Sequence, residues 1–142
     1  MKAPFILLLF LFSFGPIGAV SADYSDGWDA YKKENYLKAL VEWLPLAEQG
    51  VSQAQYNLAG MYAKGYGVNI DDEMAVYWYK KAAQQDHPRA QYNLGVMYLL
   101  GTGVYQSYDE AKKWLQLSYA NGIDEAELLW NKNQLWKYWL LV

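Results

Sequence analysis

Apolar residues recur at helical spacing along most of the chain after residue 22. In the stretch 37–49 the apolar positions are Leu37, Leu40, Val41, Leu44 and Ala47. This i, i+3, i+4 pattern is typical of a helix with one buried face. Further helices are predicted over 24–33, 53–64 and 72–85, and the last two have copies farther along the chain. The pattern therefore predicts an all-α protein.

One 36-residue pattern occurs twice between residues 54 and 125. The segment Ala-Gln-Tyr-Asn-Leu-Ala-Gly-Met-Tyr at 54–62 returns as Ala-Gln-Tyr-Asn-Leu-Gly-Val-Met-Tyr at 90–98. A Gly-x-Gly-Val turn follows each copy, at 65–68 and at 101–104. A fixed period of this length is typical of stacked repeats, in which adjacent units complete one another's core. The chain is therefore predicted to form an α-solenoid of helix pairs.

Capping residues predict several helix starts independently of the apolar pattern. Ser52 with Gln55 has the spacing of a capping box, and so has Ser107 with Glu110. Asp71 is expected to cap the helix that follows it, because its side chain can accept from a free backbone N–H of the first turn. The starts predicted in this way agree with the 36-residue period.

These motifs resemble the Sel1-like repeat, a relative of the tetratricopeptide repeat. The residues of the first full copy that carry the resemblance are Ala54, Leu58, Tyr62, Gly65, Gly67, Val68, Asp72, Ala75, Trp78, Ala82 and Ala83. Ala59 replaces the usual glycine, and Ser118-Tyr119 replaces the paired alanines of the second copy, which is expected to shift the last helix slightly. The resemblance implies a short right-handed superhelix of antiparallel helix pairs, a non-catalytic protein whose concave face binds another protein or peptide.

The predicted domain organisation has five parts. They are a signal peptide at 1–22, a tetratricopeptide-like unit at 23–53, repeats at 54–89 and 90–125, and a C-terminal capping helix at 126–142. The last part is rich in Trp and Leu, including Trp130, Trp136 and Trp139. It either folds back as a cap over the helix that contains Trp114 or forms an exposed patch that seats a partner. Contact with a membrane is a third possibility.

The first 22 residues have the composition of a secretory signal peptide. Lys2 precedes an apolar run at 5–14, a Gly-Pro pair interrupts the run, and small residues precede an expected cleavage after Ala22. An uncleaved membrane anchor is the alternative, although the run is shorter than the ~20 residues of a spanning helix. We therefore expect an exported protein, periplasmic or secreted, in a bacterium, without stable membrane insertion after cleavage. The chain contains no Cys, so its stability must come from packing rather than disulfides.

A partner-binding surface is expected on the first helix of each pair, by comparison with the groove of tetratricopeptide arrays. The positions that correspond to the groove are Tyr24, Trp28, Tyr31, Lys32, Tyr56, Lys64, Arg89, Tyr92, Leu99 and Leu100. Aromatic and arginine side chains dominate binding hot spots, which favours a protein partner. For Tyr56 and Tyr92 partial burial between helices is an equal alternative.

Charge and candidate chemistry argue against other functions. The net charge of -3 carries no excess of Lys and Arg, so nucleic acid is not expected as a partner. His87 is the one histidine and is expected to be a turn residue, while the acidic run at 71–73 lacks the spacing of a calcium loop. The glycine turns lack the Gly-Lys-Ser/Thr of a phosphate loop. We therefore predict no catalytic residue, no metal and no cofactor.

Three functions remain open at this point. The first is an adaptor or scaffold that binds another protein. The second is an immunity-type inhibitor of a toxin delivered to the periplasm, which small exported proteins of this kind resemble. The third is a cell-wall glycan binder or hydrolase, suggested by seven Trp and fourteen Tyr, because aromatic faces stack on sugars. The sequence indicates neither the identity of the partner nor the oligomeric state.

Overall fold

Helices account for all the regular structure that the computed structural model describes, which comprises residues 23–132. The helices in this range are α1 (Tyr24–Lys32), α2 (Tyr36–Glu48), α3 (Ser52–Lys64), α4 (Asp72–Ala83), α5 (Pro88–Leu100), α6 (Tyr108–Ala120) and α7 (Asp124–Lys132). The predicted signal peptide and the Trp-rich residues 133–142 lie outside the described residues. The all-α prediction is confirmed.

The helices stack in the order in which they occur along the chain. The pairs α1–α2, α3–α4 and α5–α6 pack internally, and α2–α3, α4–α5 and α6–α7 join each pair to the next. Short connections between packed helices favour antiparallel neighbours. The chain therefore forms a small solenoid in which α1, α3 and α5 are the first helices of successive pairs.

Small residues allow the helices of each pair to approach closely. Ala54 and Ala90, one repeat apart, are fully buried. A Cβ at Gly95 would lie 2.8 Å from Leu115 Cγ, so glycine is required where α5 crosses α6. Ala59, the counterpart of Gly95, is also fully buried, and the pair α3–α4 accommodates its methyl group.

Ser118 stands where the family pattern has an alanine. Its side chain is fully buried, and its hydroxyl donates a hydrogen bond to the Pro88 carbonyl at 2.9 Å. A buried hydroxyl without a partner would be costly. This bond therefore accommodates the substitution and ties α6 to the first turn of α5.

The predicted capping box at Ser52 is wrong. Val51 occupies the cap position without a side-chain hydrogen bond, and Ser52 is already the first residue of α3. The Gln55 side chain is buried; its amide donates to the Ala47 carbonyl at 3.0 Å, and its oxygen accepts from Gln85 at 2.8 Å. Gln55 thus bridges the ends of α2 and α4 instead of capping its own helix.

The glutamine bridge recurs in the second repeat and changes in the terminal unit. Gln91 donates to the Ala83 carbonyl at 3.2 Å and accepts from Asn121 at 2.9 Å. The next counterpart is Glu127, whose carboxylate cannot donate to a carbonyl. Its negative charge and its hydrogen bond with the Tyr119 hydroxyl raise the pKa of Tyr119. The bridge is therefore specific to the two full repeats.

The other predicted caps are confirmed. The Asp71 side chain accepts from the backbone N–H of Met74 at 2.9 Å, and Ser107 accepts from that of Glu110 at 3.3 Å. The Glu110 carboxylate does not complete a capping box, because the Ser107 backbone N–H donates to the Tyr98 carbonyl at 3.0 Å. The carboxylate instead accepts from the Trp114 indole N–H at 2.9 Å.

The two glycines of each Gly-x-Gly turn have different roles. Gly65 ends α3 in the left-handed conformation, with φ 71°, and its N–H donates to the Met61 carbonyl. Gly67 instead lies against the preceding pair, where a Cβ would come within 2.9 Å of the Tyr36 carbonyl carbon. The second glycine is therefore a contact between repeats.

Candidate binding groove

The first helices α1, α3 and α5 line a groove of about 680 Å³ on one side of the solenoid. Six of the ten predicted partner-binding residues lie in its wall, namely Tyr24, Trp28, Tyr31, Tyr56, Lys64 and Arg89. A second hollow of about 310 Å³ contains Tyr92 and shares Tyr56, Arg89 and Asn93 with the groove. The structure therefore places seven of the ten residues on one continuous concave surface.

The remaining three residues do not line this surface. Lys32 forms an ion pair with Asp29 on α1, with 2.7 Å between the charged atoms. Leu99 is buried, because Leu129 and Trp130 of α7 pack against it. Leu100 is 66% exposed and lies outside both hollows. The predicted placement of these three residues is wrong. The groove crosses the beginning of α5, whereas Leu99 lies near the end of α5, where α7 covers it.

Aromatic rings form the α1 side of the groove. The ring of Trp28 is stacked on that of Tyr31, with centroids 5.7 Å apart and planes 3° apart. Tyr31 in turn lies 5.6 Å from the buried ring of Trp43. Trp28 remains 44% exposed, so it offers a large apolar surface on a rigid support. Such surfaces bind with a small loss of side-chain entropy.

The polar floor of the groove joins the first helices to one another. The Asn57 amide on α3 donates to the Tyr24 hydroxyl on α1 at 3.0 Å. Tyr79 lies almost fully buried beneath the groove, and burial raises its pKa to about 12 despite a hydrogen bond with Asn93. The Tyr79 hydroxyl therefore stays protonated at neutral pH and can donate a hydrogen bond.

His87 is a groove residue that the sequence analysis assigned only to a turn. Its ring stacks on Tyr56, with centroids 4.6 Å apart. Nδ1 accepts from the backbone N–H of Ala90 at 3.2 Å, so His87 caps α5, and Nε2 lies 3.0 Å from Gln53 Oε1. These two contacts require the neutral tautomer with its proton on Nε2, which then donates to Gln53. The imidazole thereby holds the first turns of α3 and α5 together.

Acidification is expected to weaken this junction. Burial first, and then the charge of Arg89, lower the pKa of His87 below its ordinary value of 6.5. As the pH falls, the unfolded chain therefore binds the proton before the folded chain does. The stability that His87 contributes is present above pH 6.5 and is lost as the pH falls through the pKa of the folded state. Protonation of Nδ1 also removes the acceptor that caps α5.

The variant His87→Asn provides the control, because asparagine keeps a capping oxygen and does not titrate. Urea unfolding followed from about pH 7 to about pH 5 should show a steeper loss of stability in the wild type than in the variant. Parallel stability curves would contradict the role of the neutral imidazole.

The described residues offer neither a metal cluster nor a membrane-spanning helix. Within residues 23–132, no group of three or more His, Asp or Glu side chains is placed to share a metal ion. In the same range, no helix is both long and apolar enough to cross a membrane.

Comparison with known proteins identifies the repeat. The family model described as Sel1 repeat matches residues 52–87 and again residues 88–123. The matched units thus begin two residues before the limits of 54 and 90 chosen from the sequence. Sel1 repeats generally serve as scaffolds for protein–protein interaction, and the fold is not a catalytic one.

Solved structures of longer proteins show the same architecture. A Sel1 repeat protein from Oxalobacter formigenes matches with a TM-score of 0.71 and 34% identity, over 75% of this chain and 44% of that one. The protein c5321, a protective antigen of uropathogenic Escherichia coli with an SLR fold, matches with a TM-score of 0.68 and 39% identity, over 72% of this chain and 23% of that one. The chain thus spans less than half the length of either protein.

A more distant likeness supports the fold alone. Cysteine-rich protein B of Helicobacter pylori matches with a TM-score of 0.57 and 21% identity, over 81% of this chain and 99% of that one. The two consecutive repeat matches cover half of the present chain, and the structural matches extend over its helices. The chain belongs to the Sel1 repeat family.

Proposed function

We propose that this protein is an exported adaptor that holds another protein in its concave groove and performs no chemistry itself. The observation that carries the proposal is the continuous surface on which α1, α3 and α5 place aromatic and cationic side chains. Trp, Tyr and Arg are the residue types that dominate binding hot spots. The scaffold role that is general among Sel1 repeat proteins agrees with this use of the groove.

Export is supported by the sequence of the first 22 residues. Lys2, the apolar run and the small residues that end at Ala22 have the order of a cleavable signal peptide. Cleavage there would leave a chain that begins at Asp23, which the structure places at the cap of α1. We therefore place the adaptor in the periplasm or outside the cell.

Loss of a groove aromatic is expected to weaken capture of the partner strongly. Trp28→Ala removes the exposed ring on α1, and Tyr92→Ala removes a ring from the second hollow. Each change should weaken capture by about tenfold or more, the size typical of a hot-spot residue. The measurement is a pull-down from the exported fraction with the purified protein. The mass of the native chain in the same fraction shows separately whether residues 1–22 have been removed.

Tyr105→Ala is the matched control, because this tyrosine is 96% exposed and lies outside both hollows. It should capture the same partner as the wild type, and circular dichroism should show equal helicity for all three variants. Unchanged capture by both groove variants would contradict the assignment of the groove. A native chain that retains residues 1–22 would contradict cleavage.

A further inference from the structure

Gly60 is a groove residue at which the two repeats differ in side-chain size. Its counterpart in the second repeat is Val96. Glycine is a poor helix former, yet Gly60 lies in the middle of α3. A Cβ added there would meet only the Tyr79 hydroxyl, at 3.6 Å, which is an ordinary van der Waals distance. Packing therefore does not require glycine at this position, in contrast to Gly95.

The missing side chain opens the floor of the groove. Tyr56, Gly60 and Lys64 stand four residues apart and so lie on one face of α3. All three line the groove, and Tyr79 lies beneath Gly60. The result is a gap between two long side chains, with the Tyr79 hydroxyl at its base. A gap of this kind suits the insertion of one bulky apolar side chain from a ligand.

The charge of the groove differs in sign from that of the chain. The protein has a net charge of -3, but Lys64 and Arg89 line the groove and no Asp or Glu does so among the described residues. Neither cation forms an ion pair with another residue of the range 23–132. The carboxylate of Glu125 lies in the second hollow. The Lys64 ammonium lies over the Tyr66 ring, 5.7 Å from its centroid, which leaves its charge uncompensated by a carboxylate. Such cations in a concave surface attract a ligand of negative charge.

The two cations stand at opposite edges of the groove. Lys64 is in the last turn of α3, and Arg89 is in the first turn of α5. Arg89 corresponds to Gln53 in the first repeat, eleven positions before Lys64. Eleven residues of helix rise about 16 Å, and Arg89 lies on a different helix, so an extended segment at ~3.3 Å per residue needs at least roughly five residues to span the two charges.

We infer that the groove binds an extended acidic segment of the partner protein, with one bulky apolar side chain seated over Gly60 and carboxylates paired with Lys64 and Arg89. Charge complementarity and the open floor together select this occupant. The inference rests on the proposed function, because it specifies the chemistry of the partner that the groove holds.

Selection from a random peptide display library against the purified protein tests this inference. The wild type should enrich peptides in which Asp or Glu flank an aromatic or aliphatic residue, with acidic positions at least about five residues apart. The double variant Lys64→Glu with Arg89→Glu should enrich peptides rich in Lys and Arg instead. Binding of the acidic peptides should weaken as the salt concentration rises.

Gly60→Leu tests the seat for the apolar side chain. The leucine fills the gap without a backbone clash, so the thermal midpoint should be unchanged or raised while the selected peptides bind about tenfold more weakly. Val96→Leu is the matched control on α5, at a position outside the groove wall, and should bind the peptides as the wild type does.

The outcomes separate the inference from the proposed function. In one outcome the selected peptides carry no acidic excess but bind Trp28→Ala more weakly than the wild type. That result would contradict the acidic segment and still support binding in the groove. Peptides that bind Trp28→Ala, Tyr92→Ala and Gly60→Leu as well as the wild type, or a selection without groove-dependent peptides, would overturn both. Displacement of bound peptides by soluble cell-wall oligosaccharides would assign the groove to a glycan and overturn the inference.

Discussion

Replacing Trp43 with alanine is expected to lower the free energy of unfolding by about 4 kcal/mol. The Trp43 ring is fully buried, and its indole N–H donates to the Tyr24 carbonyl at 3.2 Å. Its ring is stacked against that of Tyr24 and tilted against that of Trp28, with centroids 5.9 and 6.3 Å apart. The backbone of Gly27 lies directly on the indole, so the cavity would form beneath α1. The variant should therefore also lose partner binding.

Equilibrium unfolding in urea, followed by far-UV circular dichroism, measures the effect. Trp28→Ala is the control from the same cluster, and because its ring is 44% exposed it should cost only about 1 kcal/mol. The two variants distinguish a residue that supports the groove from one that contacts the partner. Trp43→Ala should lose mainly stability, whereas Trp28→Ala should lose partner binding at nearly full stability. Equal stability of both variants would show that α1 is not held by Trp43.

The repeat pattern predicts the fold well because it reports local requirements. Ala54 and Ala90 must be small where helices cross, and Asp71 caps a helix within three residues of itself. Such requirements depend on helix geometry alone, which the 36-residue period makes visible. The fold class and the helix limits could therefore be predicted to within one or two residues at most ends.

The groove was predicted less completely because its limits depend on tertiary packing. Leu99 has the helical phase of Tyr92, seven positions earlier, but it is buried in a cluster with Ala111 against which Leu129 and Trp130 of α7 pack. His87 precedes a proline at the start of α5, and its stacking on Tyr56 requires two helices to be placed first. Gln55 has the spacing of a capping residue, but its bonds go to Ala47 in α2 and to Gln85, just after α4. None of these contacts has a signal in the local sequence.

The positions at which the two repeats differ carry a signal for the groove that the shared motifs do not carry. Many positions that both copies keep are buried or form turns, as Ala54 and Gly65 show, whereas the shared Tyr56 and Tyr92 line the concave surface. Positions that differ include Gly60 against Val96 and Lys64 against Leu100, and in each pair the first-repeat residue lines the groove. The groove is thus built from a regular frame and from local departures from its repeat.

Gly103→Ala is expected to destabilise the protein by about 3 kcal/mol. Gly103 has φ 65°, a conformation that alanine adopts only with strain. A Cβ there would also collide with the backbone carbonyl of Asp72, the first residue of α4, and would lie 2.8 Å from its side-chain Cβ. The Asp72 backbone cannot move away from the added methyl group unless α4 also shifts. The turn after α5 must therefore move away from the pair α3–α4.

Gly122→Ala isolates the conformational part of this cost. Gly122 has φ 93°, and no atom lies within 4 Å of the position that its Cβ would take. The variant should lose only about 1 kcal/mol, from backbone strain alone. The difference between the two variants in urea unfolding therefore measures the contact between repeats. Equal losses of stability in the two variants would mean that Gly103 is needed only for its backbone conformation. The repeats would then be joined mainly by their buried alanines and glutamine bridges.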